Sequence, residues 1–295
     1  MVDRKKGSQI LSHSVMILLT LFCVIPFLLL VISSLTEETA LRRFGYSLFP
    51  KVWSLESYAY MFNQGAMVLR AYSITIIVTV VGTLGSLLLT ILMAYPLSRK
   101  DLPGRGVFAF FVFFTMLFNG GLVPSYIMWT RTFHINNSIW ALIIPSLLLN
   151  AFYIMMMRTY FSTNIPEEIL EAARIDGANE FYILWRVVLP MSIPMLATLA
   201  LMIGLGYWND WKNGLYYLTD SKLFSIQNML NTMIQDVRFL ASGGGGSNTS
   251  EILATMPSTG IKMAIAVVGA LPIIMVYPFF QRYFVKGITI GAVKG

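Results

Sequence analysis

Ser14-Val-Met-Ile-Leu-Leu-Thr20-Leu-Phe-Cys23-Val-Ile-Pro26-Phe-Leu-Leu-Leu-Val-Ile-Ser-Ser-Leu35 contains no charged residue. A helix of about 20 apolar residues crosses the hydrocarbon core of a bilayer, which is roughly 30 Å thick. Lipid offers backbone N–H and C=O groups no partners, so such a run must satisfy them internally as a helix. The run follows Met1-Val-Asp3-Arg4-Lys5-Lys6, a charged start that signal peptides share. It is longer than a signal-peptide core and has no small-residue A-x-A cleavage pattern, so it reads as a retained anchor.

Five more runs of this kind follow, at about 70–97, 106–128, 138–157, 194–217 and 261–281. The 295 residues are 56% hydrophobic and only 12% charged, against about 25% charged in soluble domains. A soluble protein with an oversized core is excluded by the uncharged runs. The alternation of a membrane barrel strand is absent. The expected fold class is all-α: a polytopic membrane helix bundle of six transmembrane helices (13–35, 70–97, 106–128, 138–157, 194–217 and 261–281), with both termini cytoplasmic.

The net charge of +7 would suggest nucleic acid as a partner in a soluble chain. Here the basic residues sit between apolar runs, where they set topology, and no nucleic-acid partner is expected. They favour the side that holds the N-terminus, most sharply at Arg99, Lys100 and Arg105 in one very short loop. Trp53, Tyr58 and Tyr60 suit the opposite, outer interface. Cys23 is the only cysteine, and His13 and His134 stand alone, so no metal site is expected. Pro26, Pro96, Pro124, Pro145, Pro190, Pro194, Pro272 and Pro278 fall within or at the ends of spans. They predict kinks that neighbouring helices must satisfy.

Two loops are long. The external one, about 218–260, carries a flexible Ser242-Gly-Gly-Gly-Gly-Ser247 tract with no phosphate-binding pattern, and a sequon at Asn248 like that at Asn136. The cytoplasmic one, about 158–193, reads Asn164-Ile-Pro166-Glu167-Glu168-Ile-Leu-Glu171-Ala172-Ala173-Arg174-Ile-Asp176-Gly177-Ala178-Asn179. Asn164 is expected to cap a helix with Pro166 in its first turn, and Glu167 and Glu168 complement the helix dipole. Gly177 can end that helix at positive φ, and Asn179 can cap the next. Ile169, Ala172 and Ala173 share a face, with Leu170 and Ala173 on an adjacent strip. A helix lying on lipid headgroups would be basic, with large apolar residues. This one is small-faced and acidic, which favours docking to protein.

Glu171-Ala172-Ala173, Gly177 and Val187-Val188-Leu189-Pro190 resemble the EAA loop of ATP-binding-cassette importer permeases, whose pattern is EAA, three residues, Gly, nine residues, then I-x-L-P. Val187 stands where Ile is usual. Ala94-Tyr95-Pro96-Leu97-Ser98-Arg99, Asn119-Gly120-Gly121-Leu122-Val123-Pro124, Tyr207-Trp208-Asn209-Asp210-Trp211, Tyr277-Pro278-Phe279 and Gly291-Ala292-Val293-Lys294-Gly295 are similar to the carbohydrate-uptake branch, the MalG-type permeases for oligosaccharides or polysaccharide fragments. The resemblance implies a single permease domain over 1–295 in a prokaryotic plasma membrane, without catalysis of its own. It implies an ATPase dimer that binds ATP and Mg, a second permease subunit that is usually a different chain, and an extracytoplasmic sugar-binding protein. It assigns the ATPase contact to Glu171, Ala172, Ala173, Asp176, Gly177 and Ala178, with the tail from Phe284 to Gly295 as a further contact.

No Walker A motif is present, which fits a separate ATPase. For the substrate path, Tyr207, Trp208, Asn209 and Asp210 combine aromatic and polar groups, as sugar recognition requires. They suit an interfacial belt equally well. Asn150 and Tyr153 are further path candidates, or bond helix to helix. Lys262 marks a helix start or snorkels. An ion-coupled transporter would want acids at mid-membrane and an internal repeat, and neither is visible. An intramembrane enzyme would want HExxH or paired acids, also absent. A permease for a non-sugar cargo is the remaining alternative.

Overall fold

Helix formation tracks the apolar runs closely but breaks inside three of them. The computed structural model describes residues 6–63, 65–241 and 259–292, and the Ser242–Ser247 tract and the Asn248 sequon lie outside them. Among the described residues the elements are helical, apart from an isolated antiparallel bridge between Thr36 and Trp53. The helices are α1 (Lys6–Ser34), α2 (Glu38–Phe44), α3 (Glu56–Asn63), α4 (Gly65–Ser98), α5 (Arg105–Leu117), α6 (Leu122–Ile127), α7 (Trp140–Ile143) and α8 (Ala151–Asn164). Next come α9 (Glu167–Ile175), α10 (Glu180–Ile183), α11 (Leu189–Met191), α12 (Ile193–Trp208), α13 (Lys212–Tyr217), α14 (Ile226–Ala241) and α15 (Gly260–Ala292).

The chain divides into two units, residues 1–68 with 230–272 and residues 69–229 with 273–295. In the first, α1 exposes apolar side chains on every side from Gln9 to Leu28. A helix that is apolar all round suits lipid. The Glu38 carboxylate accepts the backbone N–H groups of Thr259 (3.2 Å) and Gly260 (2.9 Å) at the start of α15. Lys262 therefore lies in the first turn of that helix. A Cβ on Gly260 would collide with Ser57 Oγ, so close packing requires glycine there.

In the second unit, α4 buries Ala71, Thr75, Val78, Gly82, Ser86, Thr90 and Ala94, a stripe of helical period. Val78, Ile91 and Ala94 share a core with Leu142, Ile154, Met157, Ile183, Leu199 and Ile203. The Tyr207 ring lies where a Cβ on Gly82 would be, so the glycine lets α12 approach α4.

Three helices are long and apolar enough to cross a membrane: Gln9–Ser34, Ala66–Ser98 and Gly260–Phe279. Two bent pairs meet the same test, Arg105–Leu117 with Leu122–Thr132 (110°) and Glu180–Met191 with Ile193–Trp208 (84°), for up to five spans. The expectation of six helical spans is corrected in detail. The 106–128 run breaks at 118–121, where Asn119 Oδ1 accepts the Gly121 N–H (2.8 Å) and Gly121 takes φ +86. The 194–217 run breaks at 209–211, between α12 and α13. The 138–157 run is not one helix: α7 ends at Ile143, residues 144–150 are non-helical, and α8 continues to Asn164. Pro145 cannot donate to a helical ladder, and Ser146 adopts φ +63, which turns the chain.

Candidate functional site

The 158–193 loop folds as a helix, a tight turn and a second helix. Asn164 does not cap α9. It is the last residue of α8, where its Nδ2 donates to Tyr160 O (3.3 Å), and the extended Pro166 takes the N-cap position instead. Helix α8 simply runs further than expected, which leaves Pro166 to make the break. The C-terminus of α9 is as expected. Ala178 N–H donates to Ala173 O and Gly177 N–H to Arg174 O, both at 3.0 Å, with Gly177 at φ +82. That pair of bonds is the Schellman arrangement, and it requires a residue without a Cβ penalty at positive φ. Asn179 caps α10, its Oδ1 accepting the Tyr182 N–H at 2.8 Å.

Helix α9 buries Leu170, and Ala173 and Ala178 pack against the core of the second unit. Glu168, Glu171, Ala172 and Ile175 face outward, a stripe at i, i+3, i+4 and i+7, with Ile169 beside it. Ile175 is 86% exposed. Asp176 and Gly177 are exposed at the helix end. Of the six coupling candidates, Glu171, Ala172, Asp176 and Gly177 are thus presented outward, while Ala173 and Ala178 are half-buried.

Charged residues of the α4–α5 turn, Lys100 and Asp101, pair with this loop. Lys100 Nζ donates to Glu167 Oε2 at 2.6 Å. Arg174 Nη2 donates to Asp101 Oδ2 at 2.9 Å, and Arg174 Nε to Glu180 Oε1 at 2.7 Å. Tyr95 Oη donates to the other Glu180 oxygen at 2.6 Å. Arg99 Nε is 3.7 Å from Asp101 Oδ1, beyond hydrogen-bonding distance. The hydrogen bond from Lys100 holds the Glu167 carboxyl below the usual carboxylate range. For Asp101, partial desolvation raises the carboxyl, but its own backbone N–H, Arg174 and Arg99 together outweigh this and lower it. A cavity of about 590 Å³ opens here, lined by Arg99, Lys100, Arg105, Arg158, Glu167 and Glu168 among others. Sequence reasoning missed Asp101, Tyr95 and Glu180. Asp101 and Tyr95 meet their partners across more than seventy residues of sequence, so no local signal marked them.

The path candidates lie along the start of α8 and at the end of α12. Asn150 caps α8, its Oδ1 accepting the Phe152 N–H at 2.9 Å, and Tyr153 is half-buried against the core. Tyr207 is buried and donates to Ile143 O at 2.9 Å. Trp208 is buried, its ring 6.5 Å from that of Tyr72. Asn209 lies exposed at the end of α12, its Nδ2 bonded to Leu205 O. Asp210 Oδ1 accepts the N–H groups of Lys212 (3.1 Å) and Asn213 (3.3 Å), which starts α13, and its Oδ2 is buried without a hydrogen bond among the described residues.

What the structure does bring together is a set of donors around the non-helical 144–150 segment. Tyr207 binds Ile143 O, Asn213 Nδ2 binds Pro145 O at 3.0 Å, and Ser86 Oγ lies 3.4 Å from Leu147 O. Buried carbonyls outside a helical ladder need partners, and these side chains supply them. Asn213 and Ser86 were not singled out from sequence, because their partners are carbonyls that only the fold brings near. The tail contact expected from Phe284 onward concerns side chains outside those described.

The sequence model of one family, described as binding-protein-dependent transport system inner membrane component, matches residues 86–290. The chain belongs to this family. It is 37% identical over 274 residues to the protein LplC of Bacillus subtilis, covering 92% of this chain and 90% of that protein. It is also 37% identical over 291 residues to the polygalacturonan/rhamnogalacturonan transport system permease protein YtcP of Bacillus subtilis, covering 97% and 98%. In fold it is similar to a chain of a bacterial ABC transporter involved in the import of the acidic polysaccharide alginate. The TM-score there is 0.81 at 29% identity, over 96% of this chain and 100% of that one. Membership makes the chain a membrane-embedded transport component and accounts for its apolar helices.

Proposed function

We propose that this chain is one permease subunit of an ATP-binding-cassette importer for oligosaccharides or polysaccharide fragments. The sugar cargo of its relatives supports that class, and the polygalacturonan and alginate systems make uronate-rich fragments the first probes to try. The whole chain, 1–295, acts as a single permease domain with six spans and both termini cytoplasmic, in a prokaryotic plasma membrane. The first bent pair, the interrupted 138–157 run and α12 with α13 each serve as one crossing. The partners are a second permease subunit, an extracytoplasmic sugar-binding protein, and an ATPase dimer that carries ATP and Mg. This chain binds no cofactor and catalyses no reaction.

The observation that carries the reading is the outward stripe Glu168-Glu171-Ala172-Ile175 of α9, ended by Gly177 at φ +82. A helix whose inner face is anchored and whose exposed outer face carries two carboxylates, an alanine and Ile175 fits a cleft in a separate ATPase. Closure of that subunit on ATP pushes α9 and rocks the spans between inward- and outward-open states. Glu171 pairs with a basic group of the ATPase.

The test is a pull-down of the tagged chain from its native membrane in mild detergent, with mass spectrometry of the proteins that co-purify. An ATPase and a second permease in near-equal amounts are expected. Recovery of the chain alone, where a known importer stays intact, would overturn the reading and favour an ion-coupled transporter.

A further inference from the structure

Adjacent residues of the α4–α5 turn reach opposite ends of α9. Lys100 pairs with Glu167, the first residue of the helix, and Asp101 pairs with Arg174 in its last turn. A nine-residue helix is about 13 Å long, so these two ties are well separated. A helix held at one end pivots about that end. Held at both ends by one short turn, it moves only with that turn.

We propose that Arg174 is a positioning residue that joins the coupling helix α9 and the α4–α5 turn into one mechanical unit, so that a push on α9 is delivered directly to α4. The proposal rests on the reading of α9 as the ATPase contact. Arg174 holds two carboxylates from different elements, Asp101 in the turn and Glu180 at the start of α10. Its planar fork of donors suits this double task, and the point charge of a lysine does not. Glu180 in turn accepts the Tyr95 hydroxyl of α4, so the ties form a closed circuit from α4 through α10 and α9 to the turn after α4. None of these residues belongs to the outward stripe that faces the ATPase. The pairs are partly exposed, with side-chain exposures of 33% for Arg174, 57% for Asp101 and 51% for Glu180. Such pairs add little to global stability. Their effect is geometric, and the fold survives their loss.

The experiment uses the complete importer, purified with its ATPase in lipid nanodiscs. Hydrogen exchange is compared between the nucleotide-free and the ATP-vanadate-trapped states. In the native complex, trapping is expected to change exchange in α9 and in residues 95–105 together, by about fivefold, the scale of one such pair. In Arg174→Ala, and in Asp101→Asn, which leaves α9 itself untouched, the α9 response remains and that of 95–105 falls below about twofold. The ATPase still co-purifies and still hydrolyses ATP. Arg174→Lys recovers only part of the transmitted response. An unchanged response of 95–105 in both variants would overturn the proposal, as would loss of the ATPase from both, which would make Arg174 part of the docking surface. Absence of the ATPase from the native preparation is a distinguishable failure, that of the docking reading itself, and the proposal falls with it.

Discussion

The hydroxyl of Tyr207 donates a 2.9 Å hydrogen bond to the carbonyl of Ile143, the last residue before the helix of the fourth apolar run gives way. The bond joins α12 to the start of a seven-residue non-helical segment, 144–150, inside a stretch apolar enough for lipid. The carbonyl is buried away from water, and Tyr207 supplies its partner.

Tyr207→Phe removes this donor and leaves a buried carbonyl unsatisfied, a cost of about 1–3 kcal/mol. The expected outcome is a lower thermal midpoint of the detergent-solubilised protein. Ser86→Ala, whose bond to Leu147 O is 3.4 Å long, should move the midpoint much less. Equal shifts would show that the segment is held by packing rather than by these bonds.

Gly82 faces the same tyrosine. A Cβ there would overlap the Tyr207 ring, which is buried and tied to Ile143. Gly82→Val should therefore destabilise by about 1–3 kcal/mol through overpacking. The same midpoint measurement decides it, and a neutral result would mean that α4 and α12 can separate freely.

Ser146 sits at φ +63, a conformation that β-branched residues rarely adopt. Ser146→Val should cost about 1–2 kcal/mol, whereas Ser146→Gly should not destabilise. A tolerated valine would show that the turn can relax to negative φ.

The ties of α9 should depend on pH in one direction. Glu167 and Asp101 both titrate below the ordinary carboxylate range. The unfolded or undocked form therefore takes up protons first. Any stabilisation is fully present above the ordinary value of about 4, and is lost as pH falls through the lowered folded values. Protease protection of the 165–178 segment should be flat from pH 7 to about 5 and fall below about 4. High salt at neutral pH should weaken it too, because these charges are exposed. Protection rising with acid would contradict the assigned pairs.

Gly177→Pro cannot adopt φ +82, and Ala172→Arg places a bulky charge on the outward stripe. Both are expected to abolish uptake and ATPase co-purification while the protein still inserts in the membrane. Membrane fractionation and pull-down read the two effects separately, and normal uptake by both variants would sink the docking model.

The helical character of Ser14–Ser34, the membrane class and the α9–Gly177–α10 turn were legible in the sequence. Each depends on local chemistry: hydrocarbon forces internal hydrogen bonding, and positive φ favours glycine. The breaks at 118–121, 144–150 and 209–211 were not legible as breaks, because an apolar run reads the same whether its backbone bonds are helical or are completed by neighbours. Pro145 signalled a kink, but Tyr207 and Asn213 permit a full interruption, and they lie more than sixty residues away in sequence. The same holds for α9. Its sequence determined where it ends and that it is acidic. That Leu170 and Ala173 turn inward while Glu171 and Ala172 face out was decided by packing against the core of the second unit. That Arg174 meets both Asp101 and Glu180 was decided by the return of the chain beneath α4, since ion pairs depend on distance in space and sequence spacing does not encode it.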